Sequence, residues 1–167
     1  MDFVHLHLVL THLPIAGVIF GLVFIAISTV LNRGELLTGA MVILIMSSLL
    51  TIPLYITGEG AEDAIEHLAG VSEMFIEQHE DSAKLSFLLM EGLGLFAAVG
   101  LAFQVFKGNL HRSFSYALLL GTLITTASVA WTSNLGGKIR HSEIRSSSAV
   151  SSYGSEQSHK KNHDDDD

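Results

Sequence analysis

Residues 8–31 read LVLTHLPIAGVIFGLVFIAISTVL, an apolar run without a charged side chain. A helix of about 20 such residues crosses roughly 30 Å of hydrocarbon. Comparable apolar runs follow at residues 36–56, 85–106 and 114–135. Backbone groups inside a bilayer must be satisfied within their own segment, which only helices achieve for runs of this kind. The sequence therefore predicts an all-α integral membrane protein, a bundle of four transmembrane helices.

The composition supports this fold class. Hydrophobic residues make up 49% of the chain and charged residues only 16%, so the chain is more apolar than soluble domains usually are. A soluble four-helix bundle would show polar outer faces, which these runs lack. The chain has no cysteine, which excludes disulfides, thiolate ligands and covalent attachment of c-type haem. The leader before the first run has no Lys or Arg, so we expect the first helix to be retained.

Two domains are expected, a transmembrane domain over residues 1–141 and a polar, Ser- and Asp-rich tail over residues 142–167. Between the second and third runs, apolar residues spaced three and four apart predict a short amphipathic surface helix within residues 57–70. A second helical pattern begins after it, with Ser72 as a plausible cap, and continues through His79 into the third transmembrane helix.

The short loops indicate the orientation. Arg33 lies between the first two runs, and Lys107 and Arg112 lie between the last two. Basic residues in short loops favour the cytoplasmic side, so the acidic segment 57–81 and both termini are expected on the outer side. The basic residues after the fourth run oppose this orientation, but they are fewer in short loops. Six histidines then lie at or near the outer surface, and they are His5, His7, His12, His67, His79 and His141.

The first helix carries histidines at two depths. A rise of 1.5 Å per residue puts His12 about 7.5 Å deeper than His7, within or at the edge of the hydrocarbon. His5 and His12 fall on nearly the same helix face, whereas His7 and His12 fall on different faces. One helix could therefore serve two sites.

Imidazole is a ligand for haem iron, Cu and Zn, and it also carries protons. A b-type haem in a helical bundle needs two imidazoles from different helices. We expect the ligands of a haem or metal site to come from His7, His12, His79 and His141. Glycines on three of the helices offer either room for a porphyrin or close helix packing, and they are Gly17, Gly21, Gly92, Gly94 and Gly121.

Glu91 lies within the third apolar run, near the expected depth of His12. A carboxyl group there must be paired, protonated or next to a wet cavity. It could neighbour a haem propionate, carry protons for quinol oxidation, pair with His12, or form a simple hydrogen bond between helices.

The chain resembles the bacterial membrane proteins of domain-of-unknown-function family 2231 over about residues 5–142. The matching features are His7 and His12 followed by Leu13-Pro14, the Thr57-Gly58 turn, His79 at the start of the third helix, and Gly136-Gly137 followed by Arg140 and His141. The family's usual Pro after its first His is Leu8 here. Some members are joined to c-type cytochrome domains, so the resemblance implies electron transfer in a bacterial cytoplasmic membrane.

The leading hypothesis is a membrane electron-transfer subunit that binds one or two b-type haems near the periplasmic surface, passing electrons between quinol or a cytochrome and a partner. Such a chain would be at most a subunit of an oxidoreductase complex. Its partners would be the lipid bilayer, membrane-protein or cytochrome subunits and possible quinone, with no nucleic acid. The alternatives are an accessory subunit of a respiratory or photosynthetic complex with bound Cu, Zn or no cofactor, and a transporter using Glu91, Pro14 and Pro53. Nothing forms a hydrolytic nucleophile–base arrangement.

Overall fold

A computed structural model describes residues 3–68, 71, 73–108 and 110–140. Four helices occupy nearly all of this part of the chain, and no strand occurs in it. They are α1 (Phe3–Leu31), α2 (Gly34–Asp63), α3 (Glu73–Lys107) and α4 (Arg112–Arg140). Each is long and apolar enough to cross a membrane. The predicted all-helical architecture with four such helices is confirmed.

The helices form a four-sided bundle. α1 packs on α2, α2 on α3, α3 on α4, and α4 closes the bundle against α1. Consecutive helices are antiparallel because the connections between them are short. α1 and α3 therefore face each other across a diagonal, with their N-terminal ends at the same end of the bundle.

Two halves of the bundle differ in their interiors. The half next to the connections after Leu31 and Lys107, called the loop half below, is filled by apolar side chains. The other half, called the histidine half, contains the start of α1 and α3 and the end of α2 and α4. The apolar cluster of the loop half comprises Val18, Ile25, Leu37, Ala40, Met41, Leu44, Met90, Leu93, Ala97 and Leu118.

Glycines bring α1 close to α2 and α3 close to both of its neighbours. A Cβ on Gly21 would lie 2.7 Å from Cδ2 of Leu44, and Gly17 and Gly94 are in similarly close contact with Ser47 and Ser48 of α2. These contacts exclude any larger side chain at the three glycines. Close helix packing, one of the two roles expected for these glycines, is thus confirmed for them.

The predicted surface helix between the second and third transmembrane helices is wrong. α2 continues without a break to Asp63, and residues 64–68 form turns. Extending an existing helix is easier than nucleating a new one, and packing favours the extension here. Gly60 lies against the ring of Phe3, and Ala61 is buried against the bundle. The apolar spacing in this segment marks the buried side of α2.

The predicted extension of the third helix outward through His79 is confirmed, since α3 begins at Glu73. Ser72, its expected cap, lies outside the described residues, as do His141 and the tail at residues 142–167.

Candidate functional site

His7 lies on α1 at the interface with α2, where its side chain is partly buried. Its Nδ1 is 3.2 Å from the carbonyl oxygen of Leu54, and the hydroxyl of Thr57 lies 3.4 Å from the same nitrogen. Because a carbonyl oxygen only accepts, Nδ1 carries the proton and donates it. Nε2 is then left as the unprotonated nitrogen with a free lone pair.

His79 has the same arrangement on α3. Its Nδ1 donates to the carbonyl oxygen of Thr132 on α4 over 3.0 Å. The ring lies against Gly136, where a Cβ would be 3.0 Å from Cε1 of His79. Nε2 of His79 is again the nitrogen that remains free to accept or to ligate.

The two imidazole sites repeat each other in the two helical hairpins. In each, a histidine near the start of the first helix binds a carbonyl of the second helix, and a glycine four residues further along lies beside the ring. For His7 the carbonyl and glycine are those of Leu54 and Gly58, with Cε1 3.6 Å from a Cβ built on the glycine. The two rings belong to the diagonal helices and are close enough to interact electrostatically. The bundle thus places two equivalent imidazoles in the histidine half.

His12 points away from this pair. Its side chain is exposed on the outside of the bundle, and its Nδ1 lies 2.8 Å from the carbonyl oxygen of Leu8 in the same helix. His5 is exposed as well. The expectation that His5 and His12 share a face, and that His7 lies on another, is confirmed. The structure does not bring His12 together with His7 and His79.

His111, at the opposite end of the bundle, has the reverse hydrogen bonding. Its Nδ1 accepts a bond from the backbone N–H of Ser113 over 3.3 Å, and the Ser113 hydroxyl lies 2.8 Å away. Nδ1 must therefore be the unprotonated nitrogen. The tautomer that leaves Nε2 free is confined to His7, His12 and His79 among the histidines with a described Nδ1 hydrogen bond.

Glu91 joins α3 to α2. The hydroxyl of Ser48 donates to Oε2 of Glu91 over 2.8 Å, so a hydrogen bond between helices, one of the roles considered for Glu91, is present. Its other oxygen, Oε1, is buried and has no hydrogen-bond partner among the described residues. An oxygen in that position favours a protonated, neutral carboxyl group.

A cluster of hydroxyls between α3 and α4 escaped the sequence analysis. Ser82 and Ser86 lie 2.6 and 2.8 Å from the Thr132 hydroxyl, and Ser86 is also 2.8 Å from Ser128. These residues continue the line of His79 along α3 toward the middle of the bundle. The signal in the sequence is a set of small polar residues three and four apart in apolar helices, which reads as helix contact and not as a site.

Acidic residues surround the histidine half at its surface. The only basic side chain described in the first three turns of α3 is Lys84, which is paired with Glu80 at 2.9 Å and Asp81 at 3.7 Å. The remaining carboxylates leave this end strongly negative, and they include Glu59, Glu62, Asp63, Glu66, Glu73 and Glu77.

In the described part of the chain, no three His, Asp or Glu side chains gather closely enough to hold a metal ion. The ligand set expected from His7, His12, His79 and His141 is therefore present as one inward-facing pair, His7 and His79, with His12 apart from it. Comparison of this chain with models of known families, with curated proteins and with solved structures finds no match. The resemblance to family 2231 stays a prediction.

Proposed function

We propose that this chain is a membrane electron-transfer subunit that holds a b-type haem between His7 and His79. The observation that carries the proposal is the matched pair of imidazoles on diagonal helices, each with Nδ1 bound to a backbone carbonyl. Metal-ligating histidines almost always donate their other ring N–H in this way, which fixes the tautomer and the ring orientation. Nε2 of each ring is then available as an axial ligand.

The donor set fits haem better than Zn or Cu. A structural Zn site needs four protein ligands, whereas a six-coordinate haem takes only two axial imidazoles. The glycine beside each ring, Gly58 for His7 and Gly136 for His79, keeps bulky side chains away from the imidazole edge. When bound, the haem would supply a one-electron carrier. The chain's own residues supply ligation, ring orientation and a helical scaffold that excludes water.

The surroundings give the subunit its expected place. The apolar outer faces of all four helices suit a lipid bilayer, and the basic short loops favour a cytoplasmic position for the loop half. The histidine half, with both termini, would then face the periplasm of a bacterial cytoplasmic membrane. The negative surface there would attract a cationic cytochrome or partner subunit, and quinol is the other candidate donor.

The test is a reduced-minus-oxidised spectrum of the purified chain together with its haem content. We expect a b-type α-band that falls at least tenfold in a His7→Ala/His79→Ala double variant. His67→Ala is the matched control, because His67 is exposed and contacts only Glu66 in the described structure. Absence of the band in the unaltered chain, or a band that the double variant retains unchanged, contradicts the proposal.

A second candidate is an accessory subunit in which these histidines only fasten helices together. The bonds from His7 to α2 and from His79 to α4 favour it, since each links two helices. His79→Asn separates the two functions, because an amide can donate to the Thr132 carbonyl but is a poor haem ligand. An accessory subunit would keep its assembly and partners in this variant, whereas the electron-transfer subunit would lose its α-band.

A further inference from the structure

An exposed imidazole lies inside the expected membrane. Tyr55 directly follows the α2 carbonyl that binds His7, and Trp131 directly precedes the α4 residue whose carbonyl binds His79. Both aromatic side chains are exposed, by 40% and 61%, and exposed Tyr and Trp mark the membrane interface. His12 is five residues further along α1, about 7.5 Å deeper. Its side chain therefore faces lipid, where an unpaired polar nitrogen is costly.

The free nitrogen of His12 is an acceptor. Its Nδ1 donates to Leu8 within α1 over 2.8 Å, so Nε2 points outward without a proton. The surrounding outer face of α1 offers no polar partner, since Leu8, Leu13 and Ile19 are exposed apolar residues. Lipid chains provide none either. The partner of Nε2 must therefore come from outside this chain, and it must be a proton donor or a Lewis acid.

Symmetry indicates a second copy of the chain. Copies with one orientation in a membrane can be related only by an axis along the membrane normal, so the same residue lies at the same depth in each. Pairing the outer faces of α1 would thus place His12 opposite His12. Ala16, one turn deeper on the same exposed face, is small enough to let the helices approach. Two Nε2 acceptors cannot bond to each other, so an electron-pair acceptor must lie between them.

The charge of that acceptor discriminates between metals. A Zn²⁺ or Cu²⁺ ion with two neutral imidazoles would place two positive charges in hydrocarbon. Ferrous haem is neutral at its centre, because the porphyrin dianion balances the iron, and it takes two axial imidazoles. We propose that the His12 imidazoles of two copies ligate one haem iron across a two-fold axis in the outer half of the membrane. This proposal rests on the proposed haem function and adds a second site, shared between subunits.

Haem stoichiometry tests the two sites separately. With one interior haem per chain and one haem shared by two chains, the purified protein should hold about 1.5 haems per chain. His12→Ala should lower this to about 1.0, and His7→Ala/His79→Ala should lower it to about 0.5. His5→Ala, on the same face but one heptad nearer the surface, is the matched control and should change nothing.

Other stoichiometries overturn one proposal or both. A content of about one haem per chain that His12→Ala leaves unaltered overturns the shared site and leaves the proposed function standing. A content of about 0.5 that disappears with His12→Ala supports the shared site and overturns the interior one. Absence of haem from every variant overturns both.

Cross-linking supplies a readout independent of haem. Because the chain has no cysteine, Ala16→Cys introduces a single thiol, and a membrane-permeant bifunctional maleimide should join two copies in native membranes. Val99→Cys, exposed by 59% on the diagonally opposite helix α3, should remain monomeric under the same conditions. Failure of Ala16→Cys to cross-link, or equal cross-linking of Val99→Cys, overturns the shared interface.

Discussion

The loop half of the bundle is packed by apolar side chains that leave almost no polar atom inside, whereas the histidine half is joined by imidazoles and hydroxyls. In the loop half, Val18, Met41 and Leu118 are completely buried. In the histidine half, the helices meet through the bonds of His7, His79 and the hydroxyl cluster at Thr132. Because lipid is as apolar as the packed core, dense packing of the loop half must provide most of the association free energy. The polar bonds are then free to set ring orientation.

The largest effect on stability is expected in the loop half. Leu44→Ala removes a fully buried side chain that fills the space above Gly21, and we expect it to lower the free energy of unfolding by about 2–5 kcal/mol. Unfolding in mixed detergent micelles with increasing dodecyl sulfate measures this. Leu49→Ala, exposed by 54% on the same helix, is the control. Equal losses from the two variants would show that the apolar cluster does not hold the bundle.

The next effect concerns the site and not the fold. Gly136→Val places a branched side chain against His79, because a Cβ there would lie 3.0 Å from Cε1. We expect haem affinity to fall at least tenfold, which is about 1.4 kcal/mol, with the helical content kept. Haem titration of the apoprotein gives the affinity. Gly137→Val is the matched control, since a Cβ on Gly137 meets nothing within 4 Å, and a similar loss in both would contradict a specific role for Gly136.

A smaller effect is expected where the two halves meet. Ser48→Ala removes the donor that binds Glu91 and leaves the carboxyl group without its described partner. We expect a loss of about 1 kcal/mol, the usual size of one hydrogen bond between membrane helices. The neighbouring Ser47→Ala serves as control, because that hydroxyl donates to Ile43 within its own helix. No difference between the two serines in detergent unfolding would assign the Glu91 contact no energetic weight.

The smallest effect is expected in the hydroxyl cluster. Thr132→Val keeps the carbonyl that orients His79 and removes only the hydroxyl that contacts Ser82 and Ser86. We expect a stability loss of roughly 0.6 kcal/mol and an unchanged α-band. Thr126→Val, whose hydroxyl bonds to Thr122 in the same helix, is the comparison variant. A lost or shifted band in Thr132→Val alone would mean that the hydroxyl itself takes part in the site.

The sequence predicted the number of helices and the end of the bundle that carries most histidines, yet it misjudged the end of α2. Gly58 and Gly60 looked like a break between a transmembrane helix and a surface helix. In the structure they allow close approach of His7 and Phe3 instead. The same apolar spacing fits either a membrane surface or a neighbouring helix, and local pattern cannot distinguish the two.

The sequence by itself determined four apolar helices, since the length of an uncharged run decides whether a segment can cross a bilayer. It also determined that His7 and His12 lie on different faces of α1, because helix periodicity fixes relative angles. Only the tertiary structure decided that His7 faces inward, that His79 matches it from the diagonal helix, and that Ser48 is the partner of Glu91. A helix that is apolar on every side carries no sign of which face is inside. That choice is made by the close contacts of its neighbours.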